Sequence, residues 1–137
     1  MKIKSISTYG NYYCYVAAAA TAITGILHIV YASNLLGRGP PTFGIFFMIS
    51  GLAQLFCVIP MTKRWGRIWY YVGIGGTIVL IILYFITRVP NPITHRALST
   101  TSIGIAIEIF QFIYIGITGY IVSGQGRLEP KQKEQLR

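Results

Sequence analysis

Acidic side chains are almost missing from this chain. Of its 137 residues only Glu108, Glu129 and Glu134 are acidic, against 12 Lys and Arg. Charge of either sign makes up 11% of residues, where a soluble domain carries about 25%. So little polar surface cannot cover a water-facing globule, and an ordinary soluble domain is excluded. Cysteine is equally scarce. Cys14 and Cys57 form no CxxC or CxxCH pattern, and both fall near the predicted inner ends of apolar helices. A disulfide is not expected, because that side is reducing and a thiol in an apolar helix acts as a small hydrophobe. No Ser or Thr has a base arranged beside it for a hydrolase triad. Gly73, Gly75 and Gly76 read as close-packing glycines, since a phosphate-binding fingerprint needs a preceding strand.

Apolar residues are abundant instead, at 53% of the chain, with a mean hydropathy of +0.57. A helix needs about 20 residues to cross ~30 Å of hydrocarbon. Runs of that length predict four spans, at 12–36, 42–61, 66–87 and 102–123. Their breaks are Gly37-Arg38-Gly39-Pro40-Pro41, Pro60 near the end of span two, Arg88-Val89-Pro90-Asn91-Pro92, and Gly124-Gln125-Gly126. The first run is too long for a signal-peptide core of about 7–15 residues, so it reads as an uncleaved span. A backbone in lipid must satisfy its own hydrogen bonds, and the alternation of a barrel strand is absent. The expected fold is therefore all-α: an integral membrane four-helix bundle in one domain, 1–137, with a loosely ordered polar tail at 124–137. No internal repeat relates the two helix pairs, so an inverted-repeat transporter is not indicated.

Basic residues set the orientation. Lys2, Lys4, Lys63, Arg64, Arg67, Arg127, Lys131, Lys133 and Arg137 fall on one side of the bilayer, and Arg38, Arg88 and Arg96 on the other. The positive-inside rule then puts both termini in the cytoplasm, N-in and C-in, with the protein in the cell membrane. Trp65, Trp69, Tyr70 and Tyr71, with Tyr9, Tyr12, Tyr13 and Tyr15, form aromatic belts at the inner interface. The net charge of +9 reads as topology and contact with anionic lipid. No soluble basic domain is present to bind nucleic acid. The expected partners are the bilayer and other membrane subunits.

Glu108 is the only carboxylate inside an apolar run. An ionisable group at that depth costs roughly 2.5–3.5 kcal/mol on insertion scales, so it marks a site and needs a partner. Helical spacing suggests which one. In span one, Cys14, Ala17, Thr21, Thr24, His28 and Tyr31 form a small-and-polar stripe. Gly104, Glu108, Gln111 and Thr118 share a face of span four, interrupted by Ile115. Span two offers Gly44, Phe47, Gly51 and Gln54, and span three Gly73, Gly76, Leu80 and Tyr84. His28 lies roughly 12 Å below the outer surface and Glu108 roughly 9 Å, at 1.5 Å per residue. Arg88 caps span three and can snorkel to either level. A buried polar site is thus expected in the outer half, made of His28, Glu108, Arg88, Gln111, Tyr31 and Gln54. Gln54 also reads as hydrogen-bonding glue between helices, and the alanine run at 17–20 as a close helix contact.

Three uses of that site follow: an ion-pair network fixing helix order, proton or ion handling by Glu108 and His28, or a metal or cofactor site. His28 and Glu108 are the first metal candidates. His95 in the outer loop is a third, at a spacing that fits no motif. The loop 87–101 is stiff and basic, suited to a lid or a docking surface.

The segments Gly25-Ile26-Leu27-His28, Gly51-Leu52-Ala53-Gln54-Leu55 and Tyr84-Phe85-Ile86-Thr87-Arg88-Val89-Pro90-Asn91-Pro92 resemble small four-span membrane proteins of archaea and bacteria. A first-span histidine and a Thr-Arg turn after span three recur in that group. The Ile- and Tyr-rich style is similar to ammonia-oxidising archaea, whose small helical proteins are proposed as extra subunits of the ammonia monooxygenase complex. The resemblance transfers no catalytic residue, and the chain lacks the histidine–carboxylate clusters of a copper-bearing subunit. It implies an accessory role. The expectation is therefore a non-catalytic accessory subunit of a larger membrane complex, with no resident cofactor. A small oligomeric proton- or ion-coupled transporter or channel is the alternative, and a haem- or quinone-binding redox protein the third.

Overall fold

The computed structural model describes the backbone of residues 2–38, 41–90, 92, 97 and 99–135, and the side chains of 12–38, 41–90, 92, 97 and 99–124. Four helices result: α1 (Lys2–Leu36), α2 (Pro41–Lys63), α3 (Arg67–Thr87) and α4 (Ser102–Gln135). Each contains a stretch long and apolar enough to cross a membrane: Tyr12–Leu36, Pro41–Lys63, Arg67–Thr87 and Ser102–Gly124. The helices alternate in direction. The end holding the α1–α2 and α3–α4 connections is here called the loop end, and the opposite one the terminal end.

Local chemistry sets the helix limits. Pro41 opens α2, where its missing N–H removes nothing. Arg64 closes that helix with φ 53, and the Trp65 N–H reaches back to the Pro60 carbonyl at 3.2 Å. Gly66 follows with φ 122, a conformation that favours glycine, and lets α3 begin at once. Thr101 caps α4: its Oγ1 accepts the Gly104 N–H at 3.1 Å. Two limits differ from the sequence expectation. Helix α1 starts at Lys2, well before residue 12, and α4 runs to Gln135 instead of stopping at Gly124-Gln125-Gly126. Glycine weakens a helix by about 1 kcal/mol without forbidding it, and the Lys-, Glu-, Gln- and Arg-rich tail favours helix. As far as Gln135 the tail therefore continues α4 as helix.

The interior is small and polar while the surface is greasy. Ala17, Ala18, Ala20, Thr21, Thr24 and Thr118 are buried, whereas Ile49, Ile68 and Val72 are more than half exposed. That reverses the arrangement of a soluble protein and suits a surface bathed in lipid tails. Helix α1 makes its largest interface with α2 and the next with α4, and of the helix pairs in contact α2 and α3 touch least. The α1–α2 contact is a glycine crossing. A Cβ on Gly25 would lie 2.9 Å from the Gly51 oxygen, and one on Gly51 would lie 2.8 Å from the Gly25 oxygen.

Of the face expected of α3, Gly73 is buried and Leu80 and Tyr84 line the cavity described below, while Gly76 is exposed. Tyr70, Gly73, Thr77 and Ile81 are buried, and Gly75 and Gly76 meet nothing within 4 Å. Of the three glycines only Gly73 is a packing glycine: it receives the Tyr114 hydroxyl of α4. Tyr70 leaves the aromatic belt for the core, while Trp65, Trp69 and Tyr71 stay at the surface.

Candidate functional site

The α1 stripe buries Cys14, Ala17, Thr21, Thr24 and His28 in succession. Thr24 returns its hydroxyl to the Ala20 carbonyl at 2.8 Å, and the His28 Nδ1–H donates to the Thr24 carbonyl at 3.1 Å. A carbonyl only accepts, so a proton sits on Nδ1, and in the neutral ring Nε2 is the acceptor. The ring stands 5.6 Å from Phe47, and Phe47 meets Tyr31 edge-on at 5.0 Å. Gly51 admits α1 closely here, with the His28 Cβ only 3.1 Å from where its own Cβ would stand.

Helix α4 brings Glu108 to the same level. The residue is 8% exposed and its Oε2 is buried without a hydrogen-bond partner. Arg88 lies within electrostatic reach. Its guanidinium is nonetheless engaged elsewhere: Nη1 donates to the Ser99 carbonyl at 2.7 Å, and the plane covers the Tyr84 ring at 4.3 Å. Gly104 makes room for this pair, since a Cβ there would lie 3.2 Å from Tyr84 Cε2 and 3.4 Å from Arg88 Nη2. The expected Glu108–Arg88 partnership is thus one of shared space and field, with the guanidinium acting as a strap between α3 and the loop before α4.

These groups surround a cavity of about 230 Å³. Helices α2 and α3 part at the loop end to form its walls, with Phe43, Phe46 and Phe47 on one side and Leu80, Leu83 and Tyr84 on the other. His28, Tyr31, Glu108 and Arg88 also line it. Four of the six residues expected in the polar site therefore share one chamber. Gln54 and Gln111 do not line it and lie deeper, at 5% and 1% exposed. Gln54 is next to the His28 ring, and its backbone carbonyl accepts the Thr21 hydroxyl at 3.1 Å. Gln54 thus joins α2 to α1 twice, through its backbone carbonyl to Thr21 and through its side chain beside His28.

Of the metal candidates, His28 and Glu108 face the same chamber, and His95 lies outside the described residues. Among the described residues no group of three or more His, Cys, Asp or Glu side chains gathers. Cys14 and Cys57 are both free thiols. Sequence reasoning missed Thr77, Tyr114, the core position of Tyr70 and, of the phenylalanine wall, Phe43 and Phe46. Tyr114 had a signal: with Ile107, Gln111, Thr118 and Ile121 it completes the inward face of α4 at three- and four-residue steps.

No family model, curated protein or solved structure matches the chain.

Proposed function

We propose that the protein is a non-catalytic, multi-pass subunit of a larger membrane assembly, and that its loop-end chamber holds an amphiphile. The observation that carries this reading is the chamber itself. Aromatic and aliphatic side chains line it, and an imidazole, a carboxylate and a guanidinium line it too. Ligand sites have this build: mostly apolar lining with a few convergent polar groups. An apolar cavity of about 150 Å³ accepts a benzene ring, so this one takes a ring-sized group or a bent stretch of chain. Arg88 donates, the Glu108 oxygen and His28 Nε2 accept, and the set suits a compact head with hydrogen-bonding groups of both kinds. The apolar remainder of such a molecule runs out between α2 and α3 into lipid.

The subunit part of the reading draws on the resemblance to small archaeal four-span proteins, which points to the ammonia monooxygenase complex as one such assembly. Both termini lie in the cytoplasm in this reading, from the three-fold excess of Lys and Arg on their side. The test is purification from native membranes in mild detergent, followed by native separation and extraction of bound lipids. The protein is expected to migrate with other subunits and to retain one amphiphile, which Leu80→Trp, filling the chamber, releases. Migration as a lone chain refutes the subunit role. An amphiphile unaffected by Leu80→Trp refutes the chamber.

A further inference from the structure

Below the chamber the polar groups do not stop. Gln54, Gln111, Tyr114, Thr118 and Tyr70 are each at least nine-tenths buried, at 5%, 1%, 2%, 0% and 1% exposed. Every one carries a buried polar atom without a hydrogen-bond partner: Gln54 Oε1, both amide atoms of Gln111, the hydroxyls of Tyr114 and Tyr70, and Thr118 Oγ1. Folded proteins leave only a few such atoms per hundred residues, because each costs about 1–3 kcal/mol.

These side chains form a line. Glu108, Gln111, Tyr114 and Thr118 follow one face of α4 over ten residues, roughly 15 Å of rise. The Gly73–Tyr114 and Tyr84–Gly104 contacts fix the antiparallel register of α3 and α4, which puts Tyr70 level with Thr118. Tyr114 stands beside Thr118 and in the field of Tyr70 and Cys57, and Tyr70 stands beside Cys14 towards the terminal end, with Arg64 beyond. On the α1–α2 side, His28 and Gln54 make the same descent. The titratable or charged groups sharing the Glu108 chamber are His28 and Tyr31 from α1, Tyr84 from α3, and Arg88 at its end; α2 adds phenylalanine and Thr42.

We propose that this file binds a chain of water and carries protons between the terminal end and the loop-end chamber. Buried water typically makes about three hydrogen bonds to otherwise unsatisfied groups. Carboxylate and imidazole groups inside membrane bundles face such pathways as relay elements. Hydroxyl and phenol groups donate one hydrogen bond while accepting another, so a proton arriving on one side is matched by a proton leaving on the other. The glutamine amides orient water without taking the charge. Glu108 and His28 are the two groups that hold the proton. Only O–H and N–H bonds form and break, and for each proton gained at Glu108 one leaves the terminal end.

The file does not depend on what fills the chamber. To test it, the purified full chain is reconstituted in phosphatidylcholine–phosphatidylglycerol vesicles containing a trapped pH dye, and a potassium diffusion potential drives protons. Potential-driven flux above protein-free vesicles is expected. It should be lost in the Gln111→Leu/Thr118→Val pair, which keeps volume and removes the unpartnered atoms, and in the isosteric Glu108→Gln. Gly116→Ala, where a Cβ meets nothing within 4 Å, keeps it. Size-exclusion elution establishes that each variant folds, and Glu108→Gln alone decides the matter if the pair does not. Wild-type flux equal to protein-free vesicles overturns the proposal, as does flux that survives loss of the polar atoms. Retention of an amphiphile is read separately, because neither Gln111 nor Thr118 lines the chamber.

Discussion

Replacing Gly51 with alanine tests whether the α1–α2 crossing sets the site. The new Cβ would lie 2.8 Å from the Gly25 carbonyl oxygen, 2.8 Å from Ile29 Cγ1 and 3.1 Å from His28 Cβ. Carbon–oxygen contacts relax at about 3.3 Å or beyond, so the two helices must part by roughly 0.5 Å. The obstructing oxygen belongs to a helix backbone and has no rotamer to escape into, which forces α1 to move as a body. Overpacking of this kind costs about 1–3 kcal/mol. Alanine returns at most about 1 kcal/mol of helix propensity, and less in a membrane protein, whose separated helices keep their hydrogen bonds. The expected net loss is about 1–2 kcal/mol, a several-fold to thirty-fold drop in the folded-to-unfolded ratio. Reversible unfolding in micelles, titrated with dodecyl sulfate and followed by tryptophan fluorescence, measures it. Gly75→Ala and Gly116→Ala are the controls, since a Cβ at either meets nothing within 4 Å. Those two should stay within about 0.5 kcal/mol of wild type. If Gly51→Ala unfolds at the same midpoint as the controls, the helices are not in backbone contact and the placement of His28 needs another cause.

Arg88→Lys keeps the charge but loses the planar fork, and with it the Tyr84 stack and the Ser99 carbonyl bond. A loss of about 0.5–2 kcal/mol is expected in the same titration; an unchanged midpoint would show that charge alone suffices there. Orientation is open to chemical labelling. In a background with Cys14 and Cys57 replaced by serine, an impermeant maleimide added to intact cells should label Asn34→Cys, at the exposed loop end, and spare Thr62→Cys near the terminal end. The reverse pattern would place both termini outside.

The four helices could be read from apolar run length, because without the alternation of a barrel strand only a helix satisfies a backbone in lipid. Their loop ends fell within a residue of expectation, where prolines and a threonine cap punctuate the chain. The far ends of α1 and α4 did not, because glycine is a weak stop among strong helix formers. The inward faces divide by residue type. Helix α1 was traced nearly whole, since alanine, threonine and histidine have little reason to face lipid. Helix α3 was read in part: Gly73, Leu80 and Tyr84 lie inward as expected, but Gly76 carries no side chain to indicate a direction, and Tyr70 suited an interfacial belt as well as a core.

The chamber escaped for a related reason. In water, hydrophobicity separates inside from outside, but lipid and protein interior are equally apolar, so a large apolar ring carries no address. Phe46 and Phe47 are adjacent on α2 and both line the cavity, although Phe46 is 38% exposed and Phe47 packs between His28 and Tyr31. Only size and polarity remain as guides within a membrane sequence. That is why His28 and Glu108, which both line the chamber, stood out by spacing and depth, and why Phe43, Phe46 and Leu83, which line it too, did not.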